Sequence, residues 1–338
     1  MLCQGCGVYS MHTLGELCRF LRRGTRQLDA KDLALELERI TDSSALTGPR
    51  AAFVARKGGH GNGLDYLDEI RRRGCRVLIC PADNPAKNAD VHDLLVLNLP
   101  RNCQLAMLAC WFYGMPSSRL GLLGVTGTNG KTTVTQLLAQ WLTLMGRRCG
   151  VIGTLGSGFL PDLKSGGLTT PGCFALQEEL NALCTAQAEY CALEVSSIGV
   201  VTGRLNGCEC TAGGFTNLTR DHLDFHGTME EYTAAKDAFL RSVPGEYLTV
   251  NLDDAHGREL SAFQPRCMQV CHKAVPSAGA RALLISHPCF EDHGVSCEVN
   301  YGQESGHLNA PLLGGFNIQN LALTLGMLLT MHQPLRPL

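Results

Sequence analysis

A chain of 338 residues with 45% hydrophobic content has room for two domains, each with a core of its own. Its net charge of −2, with no basic block longer than Arg71-Arg72-Arg73, argues against nucleic acid as the main partner. No apolar run approaches the roughly 20 residues that a bilayer-spanning helix needs, which argues against membrane insertion.

The first hundred residues read as a small α/β unit: a helix over 14–21, a strand over 51–55, a helix over 64–73 and a strand over 76–80. A Pro/Asn/Asp-rich loop follows, then a helix over 103–113 that ends near Pro116. That proline suggests a division into domains 1–115 and 116–338. Beyond it the chain alternates. Strands are expected over 120–125, 149–153, 190–195, 210–217, 246–251 and 281–285, and helices over 131–145, 173–187, 228–242 and 317–331. Strand–helix alternation predicts an α/β fold with a mostly parallel sheet covered on both faces and ligands at the strand C-terminal ends.

The seventeen cysteines are spread through apolar segments of a long chain with no signal peptide, so they read as reduced, buried thiols of a cytoplasmic protein. Cys3-x-x-Cys6 has no second pair to complete a zinc site, and Cys267-x-x-x-Cys271-His272 is equally incomplete.

The most informative run is Gly124-Val-Thr-Gly-Thr-Asn-Gly-Lys-Thr-Thr133, set between a strand and a helix. Gly127, Thr128, Asn129 and Gly130 form a turn whose N–H groups can wrap a phosphate at a helix N-terminus. Lys131 can reach the outer phosphates, and the Thr132 hydroxyl, with Thr133 beside it, can ligate magnesium. The first glycine sits one residue earlier than in the common Gly-x4-Gly-Lys-Thr pattern. The expected ligand is a nucleoside triphosphate.

Glu194 ends a buried strand, where a carboxylate is costly unless paired or bound to a cation such as Mg2+. The segment 215–227 gathers Arg220, Asp221, His222, Asp224 and His226 after another strand. There His222 is a candidate metal ligand, and Asp221 could set its tautomer or cap the next helix. Lys236, between small residues of a helix, reads on its own as a solvated lysine on an amphipathic face.

These motifs in register, with Leu168-Thr-Thr-Pro-Gly172, Leu193-Glu-Val-Ser-Ser197, Thr216-Asn-Leu-Thr-Arg-Asp-His-Leu-Asp224, Ala234-Ala-Lys236, Asn251-Leu-Asp-Asp254 and Gly315-Phe-Asn-Ile-Gln-Asn320, resemble the Mur ligase family from about residue 40 onward. Within it they are most similar to members that add the third amino acid of the peptidoglycan stem. The resemblance implies a UDP-MurNAc-binding N-terminal domain and a P-loop-type central ATP-binding domain. It also implies an ATP-dependent ligase, with magnesium, that joins diaminopimelate or lysine to UDP-MurNAc-L-Ala-D-Glu through an acyl phosphate. Lys131, Glu194, His222 and Lys236 would be catalytic, and Thr132, Glu194, His222 and Lys236 would hold metal, Lys236 as a carbamate. Asn317 would lie near the adenine. Thr169, Thr170, Ser196 and Arg204 would hold the muramoyl dipeptide, and Asp42-Ser43 with Gly58-Gly-His-Gly61 the uridine diphosphate end.

Ser44, Ile198 and Thr202 stand where the family usually has arginine, histidine and glutamine. The family's third, amino-acid-binding C-terminal domain would begin about where this chain stops, which leaves open a fragment, a truncated gene product or half of a split pair whose partner supplies that domain, with weak or no turnover by the chain alone. Two alternatives remain open: a folylpolyglutamate synthase-like ligase and a nucleotide-binding module without catalysis.

Overall fold

In a computed structural model of the chain, residues 11–22, 28–58, 61–87, 89–101 and 103–331 are described. Cys3, Cys6, Gly59 and His60 lie outside the described residues. The chain divides into two compact units, Met1–Pro116 with Cys173–Asn181, and Ser117–Gly172 with Ala182–Leu338.

The first unit is built on four parallel strands in the order β1 (Arg39–Thr41), β2 (Ala51–Val54), β3 (Val77–Cys80) and β4 (Leu95–Asn98). All residues of β2 and β3 are buried, as expected of parallel strands covered on both faces. Alternation divides them: Ala52, Val54 and Ile79 face one core with Leu14 and Leu17 of α1 (Leu14–Phe20), while Phe53 and Leu78 face another with Ile70 of α2 (Leu67–Arg72). A Thr13/Glu16 capping box starts α1. The helix expected over 64–73 is shorter, because a 3-10 turn over Gly63–Tyr66 precedes it. There Asn62 accepts from the Leu64 amide at 3.0 Å and Asp65 reaches back to the Asn62 amide at 3.3 Å, which tightens the turn. A further helix, α3 (Leu105–Phe112), lies near the end of the unit's first segment.

The second unit carries an eleven-stranded sheet. Its elements in chain order are β5 (Gly121–Thr126), α4 (Lys131–Leu144), β6 (Cys149–Gly153), β7 (Gly156–Gly158), β8 (Leu163–Lys164), α5 (Cys173–Thr185), β9 (Tyr190–Glu194), α6 (Ser197–Val201), β10 (Ala212–Phe215), α7 (Met229–Ser242), β11 (Leu248–Asn251), α8 (Ala255–Phe263), β12 (Met268–Cys271), β13 (Arg281–Glu291), β14 (Gly294–Tyr301), β15 (Glu304–Ala310) and α9 (Phe316–Thr330). The helix α5 begins in the segment that groups with the first unit. The strand order is β8-β7-β6-β9-β5-β10-β11-β12-β13-β14-β15. Pairing is parallel from β6 to β13 and antiparallel at both margins.

Several expectations are corrected. The strand over 210–217 is only β10, and 246–251 opens with a 3-10 turn over Gly245–Tyr247 before β11. The strand over 281–285 runs on to Glu291 and pairs antiparallel with β14, which pairs in turn with β15, so the mostly parallel sheet carries an antiparallel margin there. Those outer strands expose alternate residues, the mark of a half-covered antiparallel margin.

Because β5 lies between β9 and β10, the connection leaving β5 runs one way across the sheet and that leaving β10 runs the other. Such a reversal opens a crevice at the strand C-terminal ends. Leu123 and Val125 of β5 face a core made with Val134, Leu138 and Leu142 of α4 and Leu321 and Leu325 of α9. The spacing of 134, 138 and 142 is one helical stripe. On the opposite face a Cβ at Gly124 would meet the Phe239 ring of α7 at 2.4 Å. Helix α9 is buried from Asn317 to Thr330 except at the half-buried Gln319, and it approaches the sheet at Gly326, where a Cβ would lie 2.8 Å from Thr249 Cγ2 and 2.9 Å from Val270 Cγ2. Both neighbours are stiff β-branched side chains. Gly326→Ala should therefore destabilise the second unit by about 1–3 kcal/mol, an overpacking cost. Thermal unfolding measures it, and an unchanged midpoint would contradict the close approach.

Candidate functional site

Local backbone demands shape the phosphate loop. Gly130 caps α4 at φ +89°, and a Cβ there would sit 2.5 Å from Asn320 Oδ1. Gly127 has φ +143°, and a Cβ would overlap Thr216 Oγ1 at 1.8 Å. Only glycine satisfies both positions. The loop is fastened to the end of β10: the Thr128 amide donates to Asn217 O at 2.8 Å, and the Asn217 carboxamide pairs with the Asn129 backbone at 3.0 and 3.1 Å.

Two lysines converge on one oxygen. Lys131 Nζ donates to Gly127 O and to Thr128 O, each at 2.9 Å, and Lys236 Nζ donates to Gly127 O at 2.9 Å. Burial pushes the Lys131 ammonium below its usual range, although the Glu194 and Asp221 carboxylates oppose the shift. Lys236 falls further, to about 7, through burial first and the Lys131 charge second. The reading of Lys236 as a solvated surface lysine is overturned. It is 1% exposed and lies on the buried stripe of α7 with Tyr232, Ala235, Phe239 and Leu240. The spacing 232, 235, 236, 239, 240 was the sequence signal that places it inward.

Glu194 ends β9 with its carboxylate on two hydroxyls. Thr132 Oγ1 donates to Glu194 Oε2 at 3.0 Å, the Thr154 amide donates to Oε1 at 2.9 Å, and the Thr154 hydroxyl lies 3.1 Å from Oε2. A carboxylate beside hydroxyls, at the mouth of a phosphate loop, is an all-oxygen donor set that fits a hard cation such as Mg2+. Among the described residues no group of three or more His, Cys, Asp or Glu side chains is placed to hold a metal, so nucleotide oxygens and hydroxyls would complete any shell around Glu194. Thr154 was not singled out from the sequence, though it directly follows the C-terminal end of β6.

The other two candidate ligands meet elsewhere. His222 is exposed, in the left-handed region at φ +51°, with Nε2 3.6 Å from Asp221 Oδ2. Asp221 accepts from the His222 amide at 2.9 Å, and the one-turn helix Leu223–His226 has no side-chain cap, so the capping role is not taken up. The His222 and Lys236 side chains are joined through Tyr232: the ring centroids of His222 and Tyr232 are 6.3 Å apart, and Lys236 Nζ lies 4.3 Å from the Tyr232 centroid. Arg220 and Asp224 are exposed. His226 turns inward, with Nε2 2.9 Å from Ser197 Oγ, and burial lowers its pKa.

Thr169, Thr170, Ser196 and Arg204 form one network behind Glu194. Thr170 Oγ1 donates to Glu194 O at 2.8 Å and accepts from the Ser196 amide at 2.9 Å, while Arg204 Nη1 donates to Thr170 O at 2.6 Å. Ser196 caps α6, and Thr169 Oγ1 lies 3.1 Å from the Thr154 hydroxyl. Thr202 bonds back to Ile198 O at 2.6 Å, within its own helix. Beside the loop, a cavity of about 560 Å³ is lined by Asn129, Thr133, Asn217, Asn251, Phe316 and Asn320, among others. Its size suits a drug-sized or nucleoside-sized ligand. Asn317 does not line it but bonds to Asn320, which does: Asn317 donates to Leu313 O at 2.8 Å and accepts from Asn320 Nδ2 at 3.0 Å.

In the first unit, Asp42 accepts from Arg56 at 2.7 Å, and Ser44 donates to Glu69 at 2.7 Å. The Ser43 amide donates to Thr41 Oγ1 at 3.1 Å, while its hydroxyl caps nothing. Asp42, Ser43 and Ser44 follow the C-terminal end of β1, and Arg56 lies just past that of β2. Cys267 and Cys271 are buried thiols, each pushed up to about 11 by desolvation. No helix of the described residues is long and apolar enough to cross a membrane.

Lys236 makes stability pH-dependent. Below about pH 7 folded and unfolded chains both hold its proton, and the folded chain bears the whole cost of burying an ammonium. Between about 7 and the ordinary lysine value of 10.5 the folded chain has lost a proton that the unfolded chain keeps, so stability rises with pH. In CO2-free buffer the parent should gain on Lys236→Met from pH 7 to 9, by at most about 1.4 kcal/mol per pH unit. Denaturant unfolding of both across that range tests this, and a constant difference would mean Lys236 is not a buried amine.

The sequence matches the family model described as Mur ligase middle domain over residues 125–328. It is 40% identical over 304 residues to a UDP-N-acetylmuramoyl-L-alanyl-D-glutamate--2,6-diaminopimelate ligase of Ectopseudomonas mendocina (strain ymp), covering 90% of this chain and 62% of that protein. A ligase of the same name from Vibrio cholerae serotype O1 is 35% identical over 95% of this chain and 65% of its own length. A solved structure bearing that ligase name superposes with a TM-score of 0.70 at 26% identity, over 92% of this chain and 63% of the other. The chain thus spans less than two thirds of the length of these relatives.

Proposed function

We propose, of a chain that belongs to the Mur ligase family, that its second unit binds ATP on the 127–133 loop. The protein then serves ATP-dependent amide synthesis on UDP-MurNAc-L-Ala-D-Glu, with diaminopimelate, named in the relatives' titles, as the incoming amino acid. One observation carries this reading: half-buried Lys131 and buried Lys236 share the Gly127 carbonyl beside a glycine-shaped loop, one strand away from a carboxylate held by Thr132.

The chemistry required of the protein is positioning and charge compensation. The loop amides and the α4 N-terminus would hold the phosphates. Lys131 would swing from the loop carbonyls to the transferring phosphoryl group, whose charge replaces the hydrogen bonds it leaves. Thr132 and Glu194 would hold magnesium, with His222 approaching from its exposed loop; the ion supplies Lewis-acid polarisation of phosphate oxygens. Lys236, its basicity lowered to about 7, is largely an uncharged amine just above neutral pH, the form that adds CO2, so a carbamate there would turn a cation into an oxygen ligand.

The network of Thr169, Thr170, Ser196 and Arg204 would hold the dipeptide whose carboxylate is phosphorylated, and Asn317 would brace the adenine pocket through Asn320. In this reading residues 1–115, with Ser43 at a strand end, take the uridine diphosphate, and residues 116–338 take ATP. The amino-acid site and closure over ATP belong to a further domain, acting as a partner of the two units. The cellular setting would be the cytoplasm, where nucleotide-linked precursors are assembled.

Isothermal titration with magnesium-AMPPNP and, separately, with UDP-MurNAc-L-Ala-D-Glu tests the assignment. Both should bind, and Lys131→Ala should weaken AMPPNP at least tenfold, about 1.4 kcal/mol. Unchanged nucleotide binding in Lys131→Ala would sink the phosphate-loop assignment, and nucleotide binding without the UDP-sugar would remove the muramoyl substrate.

A further inference from the structure

Tyr232 is among the largest fully buried side chains, on the stripe of α7 one helical turn before Lys236. A phenylalanine would fill that space equally well, so the hydroxyl needs an explanation. It lies 3.0 Å from Thr128 Oγ1, inside the phosphate loop. Thr128 Oγ1 accepts from the Thr219 amide at 2.9 Å and lies 3.1 Å from Thr219 O. A threonine hydroxyl has a single proton. With that proton on Thr219 O, Tyr232 is the donor and Thr128 Oγ1 accepts twice.

The ring does a second job. Its face carries Lys236 Nζ at 4.3 Å, a cation–π distance, and its flanks meet His222 and His226 at centroid distances of 6.3 and 5.3 Å. His226 is in turn fixed to Ser197 of α6 at 2.9 Å. One side chain therefore touches the phosphate loop, the second lysine and both histidines of the 215–227 segment.

We propose that Tyr232 is a positioning residue for nucleotide phosphates, acting through Thr128 by its hydroxyl and through Lys236 by its ring. Building on the nucleotide-binding reading above, the inference adds a residue that touches no ligand yet sets where the loop and the Lys236 side chain stand. A scaffold of this kind keeps loop amides and lysines in place before the ligand arrives.

The test compares parent, Tyr232→Phe, Thr128→Val and the double variant, titrated with magnesium-AMPPNP and with AMP, alongside unfolding of the ligand-free proteins. Tyr232→Phe should weaken AMPPNP about fivefold, the effect of one lost hydrogen bond. It should leave AMP affinity and the ligand-free unfolding midpoint near those of the parent. Because the hydroxyl acts through Thr128, the double variant should be no weaker than Thr128→Val alone. Parental AMPPNP affinity in Tyr232→Phe, equal losses for AMPPNP and AMP, or additive losses in the double variant would each overturn the proposal. Were Tyr232→Phe not to fold, Thr128→Val alone decides: it must lose AMPPNP affinity relative to AMP, and parental affinity would count against the proposal. A parent that binds no AMPPNP would instead refute the nucleotide reading itself.

Discussion

Two lysine amino groups on one carbonyl oxygen, with no carboxylate among the described residues in hydrogen-bonding contact with either, set the terms for the rest of the second unit. Lys131 and Lys236 each reach Gly127 O at 2.9 Å, both desolvated, and the Lys131 charge raises the cost of charging Lys236. Such a pair is unfavourable alone and complementary to a polyanion. The surrounding structure must hold it open, which is the task of glycine at 127 and 130, of the Asn217 clasp on the loop, and of the apolar stripe that fixes α7.

That arrangement depends on sheet topology. With β5 between β9 and β10, three loops end side by side: the phosphate loop, the turn after Glu194 and the segment after Phe215. Each contributes one kind of chemistry, respectively amides and lysine, a carboxylate, and the His222 segment. Buried helix α9 supports the same end of the sheet from the other direction, placing Asn320 against Gly130 and Phe316 at the rim of the adjoining cavity. The antiparallel strands β13–β15 extend this sheet without entering the site.

Much of this was legible beforehand where the signal was local. The loop glycines announce positive φ, Lys131 opens a helix with a clean apolar stripe, and Glu194 closes an apolar run. Short strands such as β1, β4 and β12 were not, since three or four residues carry too little periodicity. The polar alternation of β13–β15 resembles loop sequence until its partners are known. The inward turn of His226 was not legible, because sequence proximity to His222 says nothing about which way a one-turn helix points.

The sequence by itself determined the family, the phosphate loop, the α/β alternation and the identity of most polar groups at the strand ends. These follow from backbone conformation and from neighbours within one or two helical turns, which a linear pattern records. Only the tertiary structure decided that Lys236 is buried on Gly127, that Glu194 is held by Thr132 and Thr154, and that Tyr232 joins the loop to α7. Those contacts link residues 40 to 109 positions apart. They come into being when strands pair in an order different from the chain's, because that order, and not proximity in sequence, sets which side chains lose water together.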